Sequence, residues 1–423
     1  MKTNNNWYKT TLLSLTFLIS GAVYAQQPAL QYFRPNNKVG LNVFESSKQD
    51  TSNFDGVKVR VGGDFAMQFQ SINQTNSLDN LVDLGSNFNL PAANLNVDVQ
   101  LYDGLRMHLR TYLSSKNHQE TWVKGGYLQI DKLDFIKPGF LQNFMDVARV
   151  TIGLDEFNYG DAHFRRSDNA RAIFNPFVGN YIMDSFSTEA FGEVTVMKNG
   201  FLGVIGITNG KLNQNVVINE NTDNKPSFFG KIGYDNQLTE DFRLRLTSSW
   251  YINKGTTTGT WIYGGDRAGS RYYNVMQTLD GEGVNAFEGR FNPRFKKLTA
   301  IQVNPFINYK GLEFFGIYEV ASNSDDQGGG VFTQLASELL YRFGSTKQFY
   351  LGGRYNTVSG EMVENALTQK INRLNIGGGW FITKNVMTKL EYVNQNYEGE
   401  GWTGTKYNGG KFDGINLEAV ISF

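Results

Sequence analysis

The sequence contains no cysteine, only 8 prolines among 423 residues, and 3 histidines. Without cysteine the chain forms no disulfide and offers no thiol as a nucleophile or metal ligand. Scarce proline suits a chain rich in hydrogen-bonded strands, because proline cannot donate to a sheet ladder. After the N-terminal residues no run reaches about eighteen apolar residues, which excludes a membrane-spanning helix there. The 40 acidic and 40 basic residues balance, and without a basic block nucleic acid is not an expected partner.

The N-terminal residues have the composition of a secretory signal. Lys2 and Lys9 supply positive charge, and residues 12–23 are largely apolar. Val23 and Ala25 place small residues at the two positions that a signal peptidase reads. We therefore predict a cleaved signal peptide over residues 1–25, and export of the remaining chain.

The chain ends on a strict two-residue alternation. Such a period puts one set of side chains on each face of an extended strand. The apolar face ends on an aromatic and consists of Ile415, Leu417, Ala419, Ile421 and Phe423. This pattern resembles the closing strand of bacterial outer-membrane β-barrels. The resemblance implies that Phe423 is read by the machinery that assembles such barrels.

Fifteen further segments show comparable alternation, which makes sixteen predicted strands. One face of each is polar and often charged, unlike the strands of a parallel α/β sheet, which are apolar on both faces. The predicted strands are Val57–Gln70, Asn94–Tyr102, Leu105–Leu113, Trp122–Asp131, Val147–Leu154, Glu189–Met197, Phe201–Thr208, Ser227–Asp235, Phe242–Asn253, Leu298–Tyr309, Leu312–Ser322, Phe332–Phe343, Phe349–Thr357, Ile371–Ile382, Val386–Asn396 and Phe412–Phe423.

The connections alternate between short and long, which is the rhythm of an up-and-down barrel with short periplasmic turns and long outer loops. Asp103-Gly104 is a hairpin signal, whereas residues 155–188 and 254–297 are long links. We predict an all-β transmembrane antiparallel barrel of sixteen strands over residues 56–423. Eighteen strands stays an alternative, because residues 254–297 have room for another hairpin. Residues 132–146 break the rhythm, being long where a short turn is expected.

Residues 26–55 show no clean alternation. We interpret them as a periplasmic segment that packs against the base of the barrel or plugs its mouth.

The residues Asn158 to Phe177 carry the most specific resemblance to a known protein family. With them, essentially the whole exported chain resembles bacterial outer-membrane porins of the type found in Bacteroidota, and is loosely similar to phosphate-selective (O and P type) porins. The resemblance implies an inward-folded third outer loop that narrows the pore. It also implies a homotrimer surrounded by outer-membrane lipid. By strand count, the third outer loop is residues 155–188.

The charges of this loop suit a pore constriction. Cations facing acids across a narrow aqueous lumen would create a transverse field. The alternative is that the arginines only brace the loop through salt bridges to the barrel interior. The candidate constriction residues are Asp161, Arg165, Arg166, Asp168 and Arg171. Replacing the three arginines by alanine would shift the reversal potential toward cations if the loop is a filter.

Charged residues also occupy the inward phase of the predicted strands. Guanidinium groups along a lumen lower the barrier for anions and raise it for cations, so we expect some anion preference. Charge ladders that merely stabilise a polar interior would give the same pattern. The candidate pore-lining residues are Arg60, Asp64, Arg106, Arg110, Arg149, Arg243 and Arg245; fewer acids share the phase, among them Asp98, Glu313, Glu338 and Glu418.

The expected function is passive diffusion of small hydrophilic solutes, with anions among them, through a water-filled channel. We expect no catalysis and no cofactor. His108, His118 and His163 lack metal-ligand spacing, and no Gly-x-Ser-x-Gly sequence occurs. The alternative from another class is a structural or adhesive outer-membrane barrel whose inward segments plug the lumen.

Overall fold

The computed structural model describes residues 27–50, 52–113, 121–168, 171–211, 216–220, 223–255, 262–265, 269–281 and 287–423. The predicted signal peptide, residues 1–25, lies outside the described residues, as does His118.

Sixteen strands form the framework. Nine come before residue 254: β1 (Lys58–Thr75), β2 (Asn87–Tyr102), β3 (Leu105–Leu113), β4 (Trp122–Ile130), β5 (Ala148–Glu156), β6 (Thr188–Lys198), β7 (Phe201–Thr208), β8 (Ser227–Gln237) and β9 (Phe242–Asn253). Seven follow: β10 (Leu298–Tyr309), β11 (Leu312–Asn323), β12 (Gly329–Phe343), β13 (Phe349–Val363), β14 (Gln369–Phe381), β15 (Val386–Glu398) and β16 (Lys411–Ser422).

Helical structure is confined to short pieces. The α-helix α1 (Gln142–Met145) is a single turn. The 3-10 helices are Lys38–Gly40, Ala162–Arg165, Ala172–Phe174, Asp325–Gln327 and Glu400–Trp402. No helix within the described ranges has the length and apolar character needed to cross a membrane.

Each strand pairs antiparallel with its sequence neighbours, and β1 pairs with β16 to close the barrel. The register of the closing pair places Met67 opposite Ala419 and Phe69 opposite Leu417. The prediction of a closed, sixteen-strand antiparallel barrel is confirmed, and the eighteen-strand alternative is wrong, because β9 pairs directly with β10.

The sequence alternation becomes two chemically different faces. In β12 Leu335 and Leu339 are exposed on the outside, whereas Gln334 and Glu338 are buried inside. An apolar outside with a polar inside is what lipid on one face and a polar lumen on the other require.

The first two strands are longer than predicted. β1 continues to Thr75 and β2 begins at Asn87, so the predicted long link over residues 71–93 shrinks to residues 76–86. In β1 Ser71 and Asn73 place polar residues on the outward phase as well, which hides the two-residue period from the sequence. A register shift between Ala66 and Gln68 further interrupts the pattern.

One end of the barrel, here called the turn end, carries the short connections at residues 103–104, 199–200, 238–241, 310–311, 344–348 and 382–385. In the β6–β7 turn Asn199 and Gly200 both have positive φ, 52° and 83°. Two such residues form the hairpin turn that matches the twist of the strands. At the opposite loop end the connections after β11 and β13 are short as well, residues 324–328 and 364–368, so the predicted alternation of length fades there.

The apolar core of the molecule lies within the lumen. Phe44 comes from the N-terminal segment (residues 27–50), and Phe174 from the β5–β6 loop (residues 157–187, with 169 and 170 outside the described residues). Tyr272 and Phe291 come from the β9–β10 loop (residues 254–297). Three segments outside the strands therefore contribute to the packing inside the barrel.

Candidate functional site

The N-terminal segment crosses the turn end of the barrel. The Gln31 side chain donates from Nε2 to Asp103 Oδ1 in the β2–β3 turn at 2.9 Å. Further along, the Lys38 backbone N–H donates to the carbonyl of Lys384 in the β14–β15 turn at 2.8 Å. These two turns lie on opposite sides of the β1–β16 seam, so the segment spans that part of the rim.

A four-residue charge network joins the N-terminal segment, the β5–β6 loop and the wall. Arg245 on β9 contacts Glu45 at 2.7 Å and Asp161 at 2.8 Å. Lys231 on β8 contacts Asp161 at 2.9 Å and Glu45 at 3.5 Å. Burial alone would raise the pKa of the Glu45 carboxyl, but Arg245 and Lys231 outweigh it and lower the pKa to about 2. The same cations hold the pKa of Asp161 well below its usual range, again against burial. Both carboxylates are therefore ionised.

Arg165 and Arg166 of the β5–β6 loop are fully buried in ion pairs. Arg165 Nη2 contacts Glu313 on β11 at 2.7 Å and Glu338 on β12 at 2.6 Å. Arg166 Nη2 contacts Asp184, within the same loop, at 2.6 Å. A guanidinium that is enclosed and paired in this way fixes the loop in position, because leaving a buried charge unpaired is costly.

The remaining two predicted constriction residues differ in exposure. Asp168 is buried and contacts Lys124 on β4. Arg171 pairs with Glu156 at the end of β5 and keeps 16% of its side chain exposed. Arg171 is therefore the most accessible of the five predicted constriction residues.

A chamber of about 170 Å³ lies between the N-terminal segment and the β5–β6 loop, against the inner wall of β2–β6. By volume it holds on the order of ten water molecules. Its charged lining mixes both signs and comprises Arg34, Arg106, Arg110, Arg149, Arg171, Glu45, Asp98, Glu156 and Glu193, beside the imidazoles of His108 and His163. No group of three or more His, Cys, Asp or Glu residues among the described residues could hold a metal ion.

The arginines on the chamber wall are held by neighbouring acids. Arg106 contacts Asp98 at 2.7 Å, and Arg110 contacts Asp155 at 2.7 Å. Arg149 contacts Asp131 at 2.9 Å. Arg106 Nε and Arg149 Nη2 are buried without a protein hydrogen-bond partner within the described part of the chain. A chamber of this polarity is a site for water, since buried polar groups need partners.

The opposite inner wall, on β10–β16, is closed. Gln302 and Asn304 on β10, Gln334 on β12 and Gln395 on β15 are all 0% exposed. On the chamber side Asn96, Arg149 and Thr151 remain 6–8% exposed. Among the described residues, the chamber therefore lies on the β2–β6 side of the lumen.

The predicted pore-lining residues separate into two groups. Arg106, Arg110 and Arg149 line the chamber. The other four hold the segments that fill the lumen. Asp64 accepts a hydrogen bond from the Ala172 backbone N–H at 2.6 Å, and Arg245 belongs to the charge network. Arg243 donates to the Asn42 carbonyl at 2.8 Å, and the Arg60 guanidinium lies 5.2 Å from the Phe33 ring centroid.

Several lining residues were missed by the sequence analysis. Glu193 shares the inward phase of β6 with Phe191 and Thr195, so the alternation contained the signal. Arg34 and Glu45 come from the N-terminal segment, where no periodicity points to a lumen position. Their role depends on contacts between residues far apart in the sequence.

Comparison with known proteins identifies the fold through solved structures alone. Protein-family models and curated proteins yield no match to this sequence. Among solved structures, the anion-selective porin from Comamonas acidovorans matches with a TM-score of 0.53 and 10% identity, over 87% of this chain and 100% of that chain. The fold is that of bacterial outer-membrane porins.

Two further solved structures agree. The outer membrane channel DcaP of Acinetobacter baumannii gives a TM-score of 0.53 at 10% identity, covering 88% of this chain and 99% of that chain. OmpT, an outer membrane protein of Vibrio cholerae described in a trimer form, gives 0.53 at 11% identity, covering 87% of this chain and 100% of that chain. At these identities the likeness concerns the porin fold.

Proposed function

We propose that this chain is an outer-membrane porin through which small hydrophilic solutes diffuse passively, along the β2–β6 side of the lumen. The observation that carries the proposal is the polar chamber between the N-terminal segment and the β5–β6 loop. A closed barrel satisfies its backbone hydrogen bonds in lipid, and a polar interior accommodates water. Nothing in this mechanism requires turnover or a cofactor.

The charges of the chamber support a mild anion preference. Five arginines and four carboxyl side chains line it, so arginines outnumber acidic residues by one. In this proposal Arg171 acts at the constriction, while Arg165 and Arg166 brace the β5–β6 loop. The reason is their difference in exposure and pairing.

Cysteine modification during planar-bilayer recording tests the path. The chain has no cysteine, so the parent protein is insensitive to thiol reagents. Thr151→Cys places one thiol on the chamber wall. A positively charged methanethiosulfonate reagent should then reduce the current.

Thr346→Cys, in the exposed β12–β13 turn, is the matched control and should leave the current unchanged after modification. If the Thr151→Cys channel conducts and reacts but its current does not change, the path does not run through this chamber.

A second candidate function is a plugged structural or adhesive barrel. The complete burial of inward residues such as Gln302 and Gln334 favours it, because an open pore would expose them to water. A folded sample, identified by electrophoretic mobility that changes on boiling, would then carry no ohmic current. That outcome would replace the channel with the plugged barrel.

Assembly follows from the same proposal. The chain would be exported by its N-terminal signal, and Phe423 would be read by the barrel-assembly machinery. In support, Phe423 exchanges two backbone hydrogen bonds with Gly63 at 3.1 Å and keeps its ring exposed on the outer face. A homotrimer is part of the proposal, tested by cross-linking in detergent. Deletion of Phe423 should reduce the amount of assembled barrel in the outer membrane.

A further inference from the structure

The β4–β5 link, residues 131–147, differs from every other connection at the turn end. The six others contain two to five residues and are mostly polar, such as Asp103-Gly104 and residues 344–348. This link has seventeen residues and contains α1. The channel proposal gives no role to a link of this length.

The link carries a group of exposed apolar side chains. Within ten residues, five large apolar side chains are 39–59% exposed to solvent: Phe135, Ile136, Phe140, Leu141 and Phe144. Soluble surfaces seldom collect so many large apolar groups in so short a segment, and such patches mark interaction sites.

Local hydrogen bonds give the link a defined shape. Asp134 Oδ1 accepts from the Gly139 backbone N–H at 2.6 Å, and the Phe140 backbone N–H donates to the Lys137 carbonyl at 2.9 Å. Met145 is buried at the end of α1, and α1 lies against β5. The apolar side chains are therefore presented outward by a folded segment; of the large apolar residues of 135–145, only Met145 is buried.

The end of the link adjoins the apolar outer surface of the barrel. The Val147 carbonyl accepts a hydrogen bond from the Met197 backbone N–H at 2.7 Å, which joins the end of the link to β6. At this rim Val196 and Phe201 are exposed on the outer face. The side chains of the link thus lie beside strands that face lipid in the proposed location.

We propose that the β4–β5 link is an interfacial anchor that inserts these five side chains into the phospholipid leaflet at the turn end of the barrel. The inference rests on the proposed membrane location. Aromatic and aliphatic side chains at the boundary between headgroups and acyl chains are stabilised by burial there. A second copy of this chain is the less suitable occupant, because a stable interface takes roughly 800 Å² per partner, more than five half-exposed side chains provide.

Single cysteines allow a direct test, since the parent chain has none. Phe144→Cys and, separately, Phe140→Cys are labelled with an environment-sensitive nitrobenzoxadiazole dye. Each protein is reconstituted at high dilution into dioleoylphosphatidylcholine vesicles, with and without lipids that carry brominated acyl chains. We expect blue-shifted emission at both positions and a loss of at least half of the intensity when brominated lipid is present.

Two controls calibrate the result. Leu351→Cys lies on the outward face of β13 and should report lipid if the barrel is in the membrane at all. Thr346→Cys lies in an exposed polar turn at the same end as the link and should report water. If Leu351 reports lipid and both link positions report water, the anchor is overturned while the membrane location stands. If Leu351 also reports water, the membrane location itself fails.

A remaining outcome would assign the patch to a second copy. Blue-shifted emission at Phe144 and Phe140 without quenching by brominated lipid, together with disulfide-linked oligomers of the unlabelled cysteine variants, would overturn the lipid anchor. The patch would then be a contact between copies of this chain.

Discussion

The inner walls on the two sides of the barrel have different compositions. On β10–β13 the inward positions include Phe306, Phe315 and Leu340, among polar groups, and the lumen segments pack on them. On β2–β5 the inward residues are almost all polar, among them Asn96, Arg106, His108, Gln129 and Thr151. Burial of apolar surface drives packing, so the first wall is covered and the second borders the chamber.

This difference shows that an inward position is not by itself a pore-lining position. Phe44 of the N-terminal segment packs its ring 5.3 Å from the ring of Phe306 and 5.7 Å from that of Phe164. Such contacts need an apolar partner on the wall. On β2–β5, where the wall offers few apolar groups, the lumen segments leave the chamber.

The largest expected effect concerns the closed wall. Glu338→Ala removes the carboxylate that Arg354 contacts at 2.7 Å and one of the two that Arg165 contacts, at 2.6 Å, so buried positive charge loses compensation. Breaking a buried pair in this way costs about 3–5 kcal/mol of the free energy of unfolding. Denaturant titration in detergent micelles, followed by tryptophan fluorescence, measures it.

Glu398→Ala is the control for that measurement. Its pair with Lys370 is nearly half exposed, so the loss should stay below about 1 kcal/mol. Equal losses for the two variants would mean that the closed wall is no more tightly packed than the surface.

A smaller effect is expected where the N-terminal segment meets the charge network. Glu45→Gln removes the carboxylate that faces Arg245 and Lys231, at a cost of about 2 kcal/mol for charge-assisted hydrogen bonds. The segment should be cut faster by protease, and the bilayer conductance should rise. Glu240→Gln, in the exposed β8–β9 turn, should change neither; unchanged proteolysis of Glu45→Gln would show that this network does not hold the segment.

Ion selectivity distinguishes the accessible Arg171 from Arg165 and Arg166, which brace the β5–β6 loop. Arg171→Ala should move the reversal potential in a salt gradient toward cation preference by a few millivolts, because one positive charge leaves the chamber where screening is weak. Lys347→Ala, at an exposed turn, is the charge-matched control. A reversal potential that stays constant in the folded Arg171 variant would make this arginine a brace as well.

The smallest effect is a pH dependence from His163. Burial lowers the pKa of this imidazole, although Glu156 acts in the opposite direction, and Lys231 and Arg171 add to the lowering. The folded-state pKa lies below the ordinary value of about 6.5, so the neutral form is favoured on folding. The stability it contributes is present above about pH 6.5 and is lost as the pH falls toward the folded-state pKa.

Lowering the pH from about 7 to about 5 should therefore weaken the packing of the β5–β6 loop, seen as lower resistance to denaturant. Glu45 does not interfere in this range, since its contribution is lost only as the pH falls from about 4.3 toward its pKa of about 2. His163→Gln should remove this component of the pH dependence. An identical pH profile for the variant and the parent would contradict a role for His163.

The strand framework was predictable from local information. The alternation in β3, β9 and β16 gave the strands to within a residue, because a two-residue period places side chains on opposite faces whatever the rest of the chain does. β1 was predicted too short because Ser71 and Asn73 put polar residues on both phases near its end, and β2 because a register shift interrupts the period near its start. The wall composition was also readable, because Phe306, Phe315 and Leu340 occupy inward positions.

The sequence alone determined an antiparallel barrel with an even number of strands, a polar inner face and an apolar outer face. The tertiary structure decided which inward charges pair with lumen segments and which border the chamber. Arg165 and Arg171 lie six positions apart in one loop, yet one is enclosed by Glu313 and Glu338 and the other remains accessible. The physical reason is that closing the barrel brings β11 and β12 against a loop about 150 residues earlier in the chain, as the contact from Arg165 to Glu313 illustrates. No local sequence pattern encodes a contact between residues so far apart in the chain.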